Sequence, residues 1–171
     1  QDADMLMPER AVAQICRVMA RGLDALRLPR LIFYLDQAGS EQVQARNRLP
    51  EDSVFVEKIA YNTRTPLAVT REAYADIGGH DEAFYGWGCE DDEFMARLRT
   101  RAICEGTLLP IVHLWHASAA AGPSRERNIA LREAALARPL DERIVELRAR
   151  DWGASQPSMP GGAPTSVLSA W

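Results

Sequence analysis

The sequence predicts an α/β fold, because short apolar segments alternate with segments of helical periodicity. Residues 31–35 and 107–113 are apolar runs typical of buried strands, and residues 66–70 predict a third strand. Between and after them, apolar residues recur at intervals of three and four, which is the spacing of one helix face. Strands that alternate with helices favour a layered α/β arrangement.

The composition predicts one ordinary globular domain. The 171 residues are 47% hydrophobic and 26% charged, and no apolar run reaches the roughly 18 residues of a membrane span. A net charge of −4 argues against a nucleic-acid partner. The three cysteines lack metal-type spacing and indicate a reducing compartment. We therefore expect a cytoplasmic location, with membrane association through a partner as the alternative.

The first half of the chain contains one clear helix and one ambiguous segment. Pro8 and Glu9 open a helical pattern that continues through Leu26 and is ended by Pro29. Residues 36–64 are mixed and polar, which predicts a long loop with a short helical piece.

The second half predicts four helices. Residues 71–77 form the first, which Gly78 and Gly79 close. The second runs from the acidic residues near position 90 to about Arg101, before the strand of residues 107–113. Two arginine- and glutamate-rich helices follow at residues 125–137 and 141–150, and we expect their charged faces to be solvated. Residues 151–171, rich in Pro, Gly and Ser, are predicted to form a disordered tail.

One stretch, residues 78–94, organises the rest of the chain. Two glycines are followed by an aromatic–glycine turn, Gly86-Trp87-Gly88, and then by four consecutive acids at a helix start, Glu90 to Glu93. Acids in a first turn are favoured by the helix dipole, but one or two would suffice. Four in succession present carboxylates at several angles, which suits a site that takes a proton and binds hydroxyls. The alternative is an ordinary acidic helix start.

This stretch resembles the acceptor-side motif of the GT-A glycosyltransferases. It is most similar to the galactosyltransferase C-terminal region and to the related family-2 polysaccharide synthases, in which a Gly-Trp-Gly-x-Glu-Asp-Asp run carries the catalytic base. The resemblance implies that Asp91 is the general base and that Glu90 or Asp92 hydrogen-bonds the acceptor.

Three further positions of the motif concern the acceptor. The resemblance implies that Trp87 offers its ring to a sugar face beside Gly88, which permits close approach of the backbone. A core tryptophan is the alternative for Trp87. Cys89 stands where relatives often have glycine, and we expect it to narrow the acceptor pocket.

Asp2-Ala3-Asp4 and the pair His113 and His116 are candidate metal-site residues. Alone, the two acids would more often belong to a solvated loop and the histidines would more often be structural. The acids resemble the metal-binding Asp-x-Asp motif of GT-A enzymes. This implies that Asp4 is a direct ligand of Mn²⁺ or Mg²⁺ and that Asp2 contacts the sugar or ribose side of the donor. It also implies that His116 is a ligand from a strand end, with His113 a weaker candidate.

Mixed oxygen and nitrogen ligation favours Mn²⁺ over Mg²⁺. If the chain curls after His113, the two imidazole rings can converge on one ion. His80 is expected to be a surface residue. Arg125, Arg127 and Asn128 either contact a diphosphate or form a solvated helix start, and we favour the second interpretation.

Together the motifs imply a GT-A-like fold of α/β/α layers that lacks its N-terminal nucleotide-binding part. Residues 1–150 would be the C-terminal, metal- and acceptor-binding portion, and the chain, which begins with Gln1, would be a fragment or processed piece. The implied activity is inverting, metal-dependent transfer of a sugar from a nucleotide-sugar, with a UDP-sugar expected, to a glycan or glycolipid hydroxyl. An upstream domain or subunit, or a second copy of the chain, would complete it.

Two other functional classes remain open. The chain could be a non-catalytic carbohydrate-binding or assembly module derived from such an enzyme. Glycan binding that is insensitive to Mn²⁺ and to Asp91→Asn would indicate this class. It could also be a metal-dependent hydrolase, for which water replaces the glycan acceptor.

Overall fold

A computed structural model describes residues 4–46, 48, 55–61, 66–117 and 124–151. Asp2 and, apart from Asp151, the predicted tail of residues 151–171 lie outside the described residues. None of the helices in the described ranges is both long and apolar enough to cross a membrane. The elements in chain order are β1 Met5–Leu6, α1 Ala11–Met19, β2 Ala25–Leu35, α2 Gln37–Arg46, β3 Val56–Tyr61, β4 Leu67–Val69, α3 Arg71–Asp76, α4 Glu90–Leu98, β5 Ile103–His113, α5 Ser124–Leu136 and α6 Leu140–Arg148.

The five strands form one mixed sheet around a central parallel pair, β2 and β5. The short strand β1 pairs antiparallel with β5, so that Met5 lies opposite His113. On the other side of β2, β3 and β4 pair antiparallel with the end and the beginning of that strand, respectively. The three strands predicted at residues 31–35, 66–70 and 107–113 are therefore confirmed.

Apolar side chains cover both faces of this sheet. Successive strand residues point to opposite faces, and Leu26 and Ala25 accordingly belong to two different core clusters. The Leu26 cluster includes Ala11 of α1, whereas the Ala25 cluster includes Phe94 and Leu98 of α4. Helices thus pack on two sides of the sheet, which confirms the α/β class; the GT-A assignment remains a prediction.

The predicted first helix is too long. Helix α1 ends at Met19, and the chain turns at Gly22 (φ +84°) before Leu26 enters β2 as a fully buried strand residue. Pro29 does not end a helix but lies within β2, where the pairing register with β5 shifts. An interrupted ladder tolerates a residue that has no N–H to donate, which explains a proline in a central strand.

Two other predictions from the sequence are partly wrong. The segment 36–64 contains the expected helical piece, α2, but also the edge strand β3, whose exposed residues Glu57 and Lys58 hide the strand signal. The charged face of α6 is not wholly solvated, because Arg143 is buried, and α5 buries the uncharged Asn128.

Candidate functional site

The turn that leads towards the acidic helix begins at Gly78 and Gly79. The Gly78 N–H donates to the Ala75 carbonyl (3.0 Å) and the Gly79 N–H to the Tyr74 carbonyl (2.8 Å), which is the hydrogen-bond pattern of a Schellman motif. Gly78 has a φ of +81°, and a Cβ at this position would lie 2.5 Å from the Leu147 Cβ. A glycine therefore both ends α3 and lets α6 pack directly on the turn.

A second glycine turn places the start of α4. Gly86 and Gly88 have φ values of +72° and +106°, and Cys89, the N-cap of α4, has a φ of +74°. Cys89 is the one non-glycine residue with a positive φ in the described part of the chain. This conformation costs a residue with a Cβ about 1–2 kcal/mol. Glycine, which lacks a Cβ, would therefore be more favourable than cysteine at position 89.

The four acids of the first turn of α4 point in different directions because successive helix residues are rotated by about 100°. Glu90 and Asp91 line a cavity beside the helix start. Asp92 instead accepts a hydrogen bond from Arg132 of α5 (3.0 Å), away from that cavity. Glu93 points into the protein interior and is 1% exposed. The four acids therefore divide into two that line the cavity, one that pairs with α5 and one that lies in the interior.

Glu93 forms a buried network with Arg97 and Arg143. Arg97 donates to both Glu93 carboxylate oxygens (2.8 and 2.5 Å), and Arg143 pairs with the same carboxylate from α6. Arg97 also donates to the carbonyls of Ile77 and Gly79, each at 2.6 Å. Burial lowers the pKa of Arg97 to about 10, so the side chain remains charged at neutral pH. This network fixes the Gly78–Gly79 turn and α6 against α4.

Arg97 and Arg143 have no role predicted from the sequence, and Glu93 is included only among the four acids of the predicted acceptor site. The one signal of the network that is visible in the sequence is the i, i+4 spacing of Glu93 and Arg97 on a helix. That spacing is common on solvated helix faces and does not distinguish a buried pair from an exposed one.

At the opposite side of the cavity, β5 ends at His113 and the segment that follows is held by two hydrogen bonds. The Leu114 N–H donates to the Asp4 carbonyl (2.8 Å), and the Trp115 N–H donates to the Ser40 hydroxyl (2.7 Å). The two bonds hold the segment after the strand, and the ring centroids of His113 and His116 lie 5.3 Å apart, so the rings do not point in opposite directions. The predicted convergence of the two imidazole rings is therefore observed.

Asp4, His113 and His116 form a compact cluster, which we term the His–Asp cluster. The Asp4 Oδ2 atom lies 3.5 Å from His113 Nε2 and 3.1 Å from His116 Nε2. One potential ligand atom from each residue lies within 4.8 Å of the other two. The Tyr34 ring stacks on His113 at a centroid distance of 4.5 Å, which fixes the orientation of that imidazole.

The donor atoms of the His–Asp cluster fit a divalent cation. Asp4 Oδ1 is buried and has no hydrogen-bond partner among the described residues, although an unsatisfied buried carboxylate oxygen is costly. A cation would satisfy it. Two imidazole nitrogens and a carboxylate oxygen suit Mn²⁺ or Zn²⁺ better than Mg²⁺.

One cavity of about 750 Å³ joins the His–Asp cluster to the start of α4. Of the residues predicted for the site, Gly88 and Asp92 are not among those that line it, and Asp2 lies outside the described residues. Trp87 is 65% exposed at the rim and therefore is not a core residue. The lining residues are Asp4, Pro66, Leu67, Val69, Tyr74, His80, Trp87, Glu90, Asp91, Phe94, His113 and His116.

His80, expected to be a surface residue, is exposed but lines this cavity. Its ring stacks on Phe94 with a centroid distance of 4.2 Å and an interplanar angle of 13°. Its Nδ1 atom lies 3.2 Å from the Tyr74 hydroxyl. The residue as a whole is exposed, but desolvation of its ring, followed by the positive charge of Arg97, lowers the pKa of the imidazole below its ordinary value.

The start of α5 supports the loop that carries Trp87. Asn128 is buried and donates to the Tyr85 carbonyl (3.1 Å), and Arg127 donates to the Ala83 carbonyl (2.9 Å). The Arg127 guanidinium also lies over the Tyr85 ring at 4.2 Å. These contacts give Arg127 and Asn128 a structural role that neither interpretation of the sequence had included.

Comparison with known proteins supports part of the interpretation from the sequence. A family model described as the N-terminal domain of galactosyltransferase matches residues 54–108, less than half of the chain. The match supports a galactosyltransferase-type family and a glycosyltransferase function in general terms. Its description names an N-terminal domain, and it does not extend to the expected C-terminal assignment or to residues 2–4. No curated protein and no solved structure matches the chain.

The matched residues and the cavity overlap extensively. Residues 54–108 include every lining residue of the cavity except Asp4, His113 and His116. The comparison therefore covers the side of the cavity that carries Asp91 and does not extend to the His–Asp cluster.

Proposed function

We propose that this chain is the metal- and acceptor-binding part of an inverting glycosyltransferase, with Asp91 as the general base. The observation that carries the proposal is the single cavity that contains both Asp91 and the His–Asp cluster. The galactosyltransferase-type match covers the Asp91 side of that cavity. The donor is a nucleotide-sugar, with a UDP-sugar as the first choice, and the acceptor is a hydroxyl of a glycan or glycolipid.

In the proposed reaction the Asp91 carboxylate removes the proton of the acceptor hydroxyl. The acceptor oxygen forms a bond to the anomeric carbon on the face opposite the leaving group, which inverts the configuration there. The bond between the anomeric carbon and the diphosphate oxygen breaks, and the diphosphate leaves with the electron pair. Glu90 hydrogen-bonds the acceptor, and the exposed Trp87 ring packs against its apolar sugar face.

The charges of the cavity support a cation requirement. Asp4, Glu90 and Asp91 all line it, and a donor diphosphate would add further negative charge. Asp4, His113 and His116 would hold Mn²⁺, or Mg²⁺ more weakly, and the ion would offset the charge that develops on the diphosphate. Asp2 and Asp4 would bind the donor side. Nucleotide binding is proposed to need an upstream domain or subunit, or a second copy of the chain.

The test is sugar transfer by the chain, alone and together with the upstream domain or subunit that the proposal requires, with Mn²⁺, a panel of UDP-sugars and a panel of glycan acceptors. UDP release and glycan product are both measured. Asp91→Asn should lower kcat by about 10²–10⁴-fold, the usual contribution of a general base. Its KM for the acceptor should change little. His116→Ala should instead raise the Mn²⁺ concentration needed for half-maximal rate.

Three results would contradict the proposal. Turnover that is unchanged in Asp91→Asn would remove Asp91 as the base. UDP release without a glycan product would identify a hydrolase. Glycan binding without turnover, unaffected by Mn²⁺ and by Asp91→Asn, would identify a non-catalytic binding module. Asp92→Asn is the matched control, since Asp92 belongs to the same helix turn but pairs with Arg132.

A further inference from the structure

His80 is held in the cavity by two neighbours whose contacts define its orientation. The Schellman turn at Gly78 and Gly79 brings its backbone to the end of α3, where its N–H donates to the Tyr74 hydroxyl (3.2 Å). The ring lies flat on Phe94, and Nδ1 faces the same Tyr74 hydroxyl at 3.2 Å. With one ring face and one ring edge occupied, the opposite edge, which carries Nε2, is left for a bound molecule.

The protonation of this imidazole follows from its surroundings. Burial and the charge of Arg97 lower the pKa of His80 below its ordinary value, which favours the neutral ring. The Tyr74 hydroxyl already accepts the His80 backbone N–H, and its own hydrogen can be donated to Nδ1. A neutral imidazole that accepts at Nδ1 carries its hydrogen on Nε2. No Nε2 contact exists among the described residues, so in this tautomer the Nε2–H is a spare donor.

A complementary acceptor lies in the same cavity. Glu90 Oε2 is buried and has no hydrogen-bond partner among the described residues. A buried polar atom in that state costs free energy until something donates to it. A hydroxyl group both donates and accepts, so one hydroxyl can donate to a carboxylate oxygen while its own oxygen accepts from an N–H. Sugars are the class of molecule that presents such hydroxyls in a rigid arrangement.

We propose that His80 is an acceptor-binding residue that donates from Nε2 to a hydroxyl of the acceptor sugar, in the cavity that also contains Glu90 and Asp91. Identifying the bound sugar as the acceptor rests on the proposed function. The hydrogen bond itself requires only that the cavity bind a pyranoside. A neutral ring also adds no positive charge beside the two carboxylates, so it does not compete for them as an ion-pair partner.

Two substitutions of His80 test the hydrogen bond. His80→Phe keeps an aromatic ring on Phe94 but removes the Nε2 donor, and His80→Gln restores an N–H at a similar distance from the backbone. The probes are methyl hexopyranosides and methyl N-acetylhexosaminides, titrated into the full chain by saturation-transfer NMR. Thermal unfolding and Mn²⁺ affinity of each variant serve as controls of folding and of the His–Asp cluster.

A glycoside that binds the wild type should bind His80→Phe about fivefold to tenfold more weakly, which is the usual effect of one neutral hydrogen bond. His80→Gln should recover most of that loss. Long-range ¹H–¹⁵N NMR should show the hydrogen of the wild-type imidazole on Nε2. Equal affinity of wild type and His80→Phe, a hydrogen on Nδ1, or no binding of any glycoside to the wild type would each overturn the proposal.

The tests also separate this proposal from the function on which it rests. Should His80→Phe not fold, Tyr74→Phe removes the hydroxyl that orients the ring, and unchanged glycoside affinity in that variant would overturn the role of His80. Glycoside binding that depends on His80 without any sugar transfer would reject the transferase and retain the His80 site. Transfer that depends on Asp91 but not on His80 would retain the transferase and reject the His80 site.

Discussion

Glu93→Gln should destabilise the fold more than any other single change in the acidic turn. Among the described residues, Glu93 supplies the only carboxylate of the buried network with Arg97 and Arg143. The side chains of Arg97 and Arg143 are 0% and 5% exposed, and both contact Glu93. Glutamine has nearly the same shape as glutamate, so the change removes charge and leaves packing intact. Breaking a buried pair in this way costs about 3–5 kcal/mol, since the remaining charges stay buried without compensation.

Thermal unfolding followed by circular dichroism measures this cost. For a chain of this size, about 3–5 kcal/mol corresponds to a fall in Tm of roughly 10 °C. Asp92→Asn is the control, because it removes a neighbouring charge whose pair with Arg132 is partly exposed. Such a pair contributes about 1 kcal/mol or less. Equal losses in Glu93→Gln and Asp92→Asn would refute the assigned role of the network. If Glu93→Gln does not fold, Arg143→Met in α6 allows the same comparison.

Three further changes test the turns and the titration of His80. Gly78→Ala should lose about 1–3 kcal/mol more free energy of unfolding than Gly22→Ala. Both glycines have a positive φ, but a Cβ at Gly78 would meet Leu147, whereas a Cβ at Gly22 would meet open space. Equal losses in the two variants would contradict the close approach of α6. Cys89→Gly should be about 1 kcal/mol more stable than Cys89→Ala in urea unfolding, because alanine keeps a Cβ in the left-handed backbone conformation of this position. A more stable alanine variant would rule out a cost of that conformation. The lowered pKa of His80 means that the unfolded chain binds a proton there more readily than the folded chain, so stability is retained above pH 6.5 and lost as the pH falls below it. His80→Phe should reduce the difference in Tm between pH 7.5 and pH 5, and an identical difference in both proteins would contradict the shift.

The sequence predicts the local elements that carry strong periodic or turn signals. The apolar runs at residues 31–35 and 107–113, the two glycines that close α3 and the acidic start of α4 all read correctly because local chemistry determines them. The edge strand β3 and the early end of α1 could not be predicted from the sequence. Their side-chain patterns are overridden by pairing with distant parts of β2 and β5.

The candidate site likewise has residues that the sequence predicts and residues whose roles depend on distant contacts. The motif resemblance brought Asp91, Glu90 and Trp87 into consideration, and the structure shows that all three line one cavity. The separate direction of Asp92 depends on where α5 packs, and the interior role of Glu93 depends on α6. Both contacts join residues 40 or more positions apart, which no local pattern reveals. His80 gave no signal because its role depends on Tyr74 and Phe94 across a glycine turn.

The most direct test of the central claim is a titration of Mn²⁺ into the wild type, His116→Ala and Asp91→Asn, followed by electron paramagnetic resonance. We expect the wild type to bind one Mn²⁺ ion at the His–Asp cluster and Asp91→Asn to bind it with nearly the same affinity. His116→Ala should bind at least about tenfold more weakly, since it loses a direct ligand. No binding by the folded wild type, or equal binding by His116→Ala, would show that Asp4, His113 and His116 form only a hydrogen-bonded cluster and not a cation site.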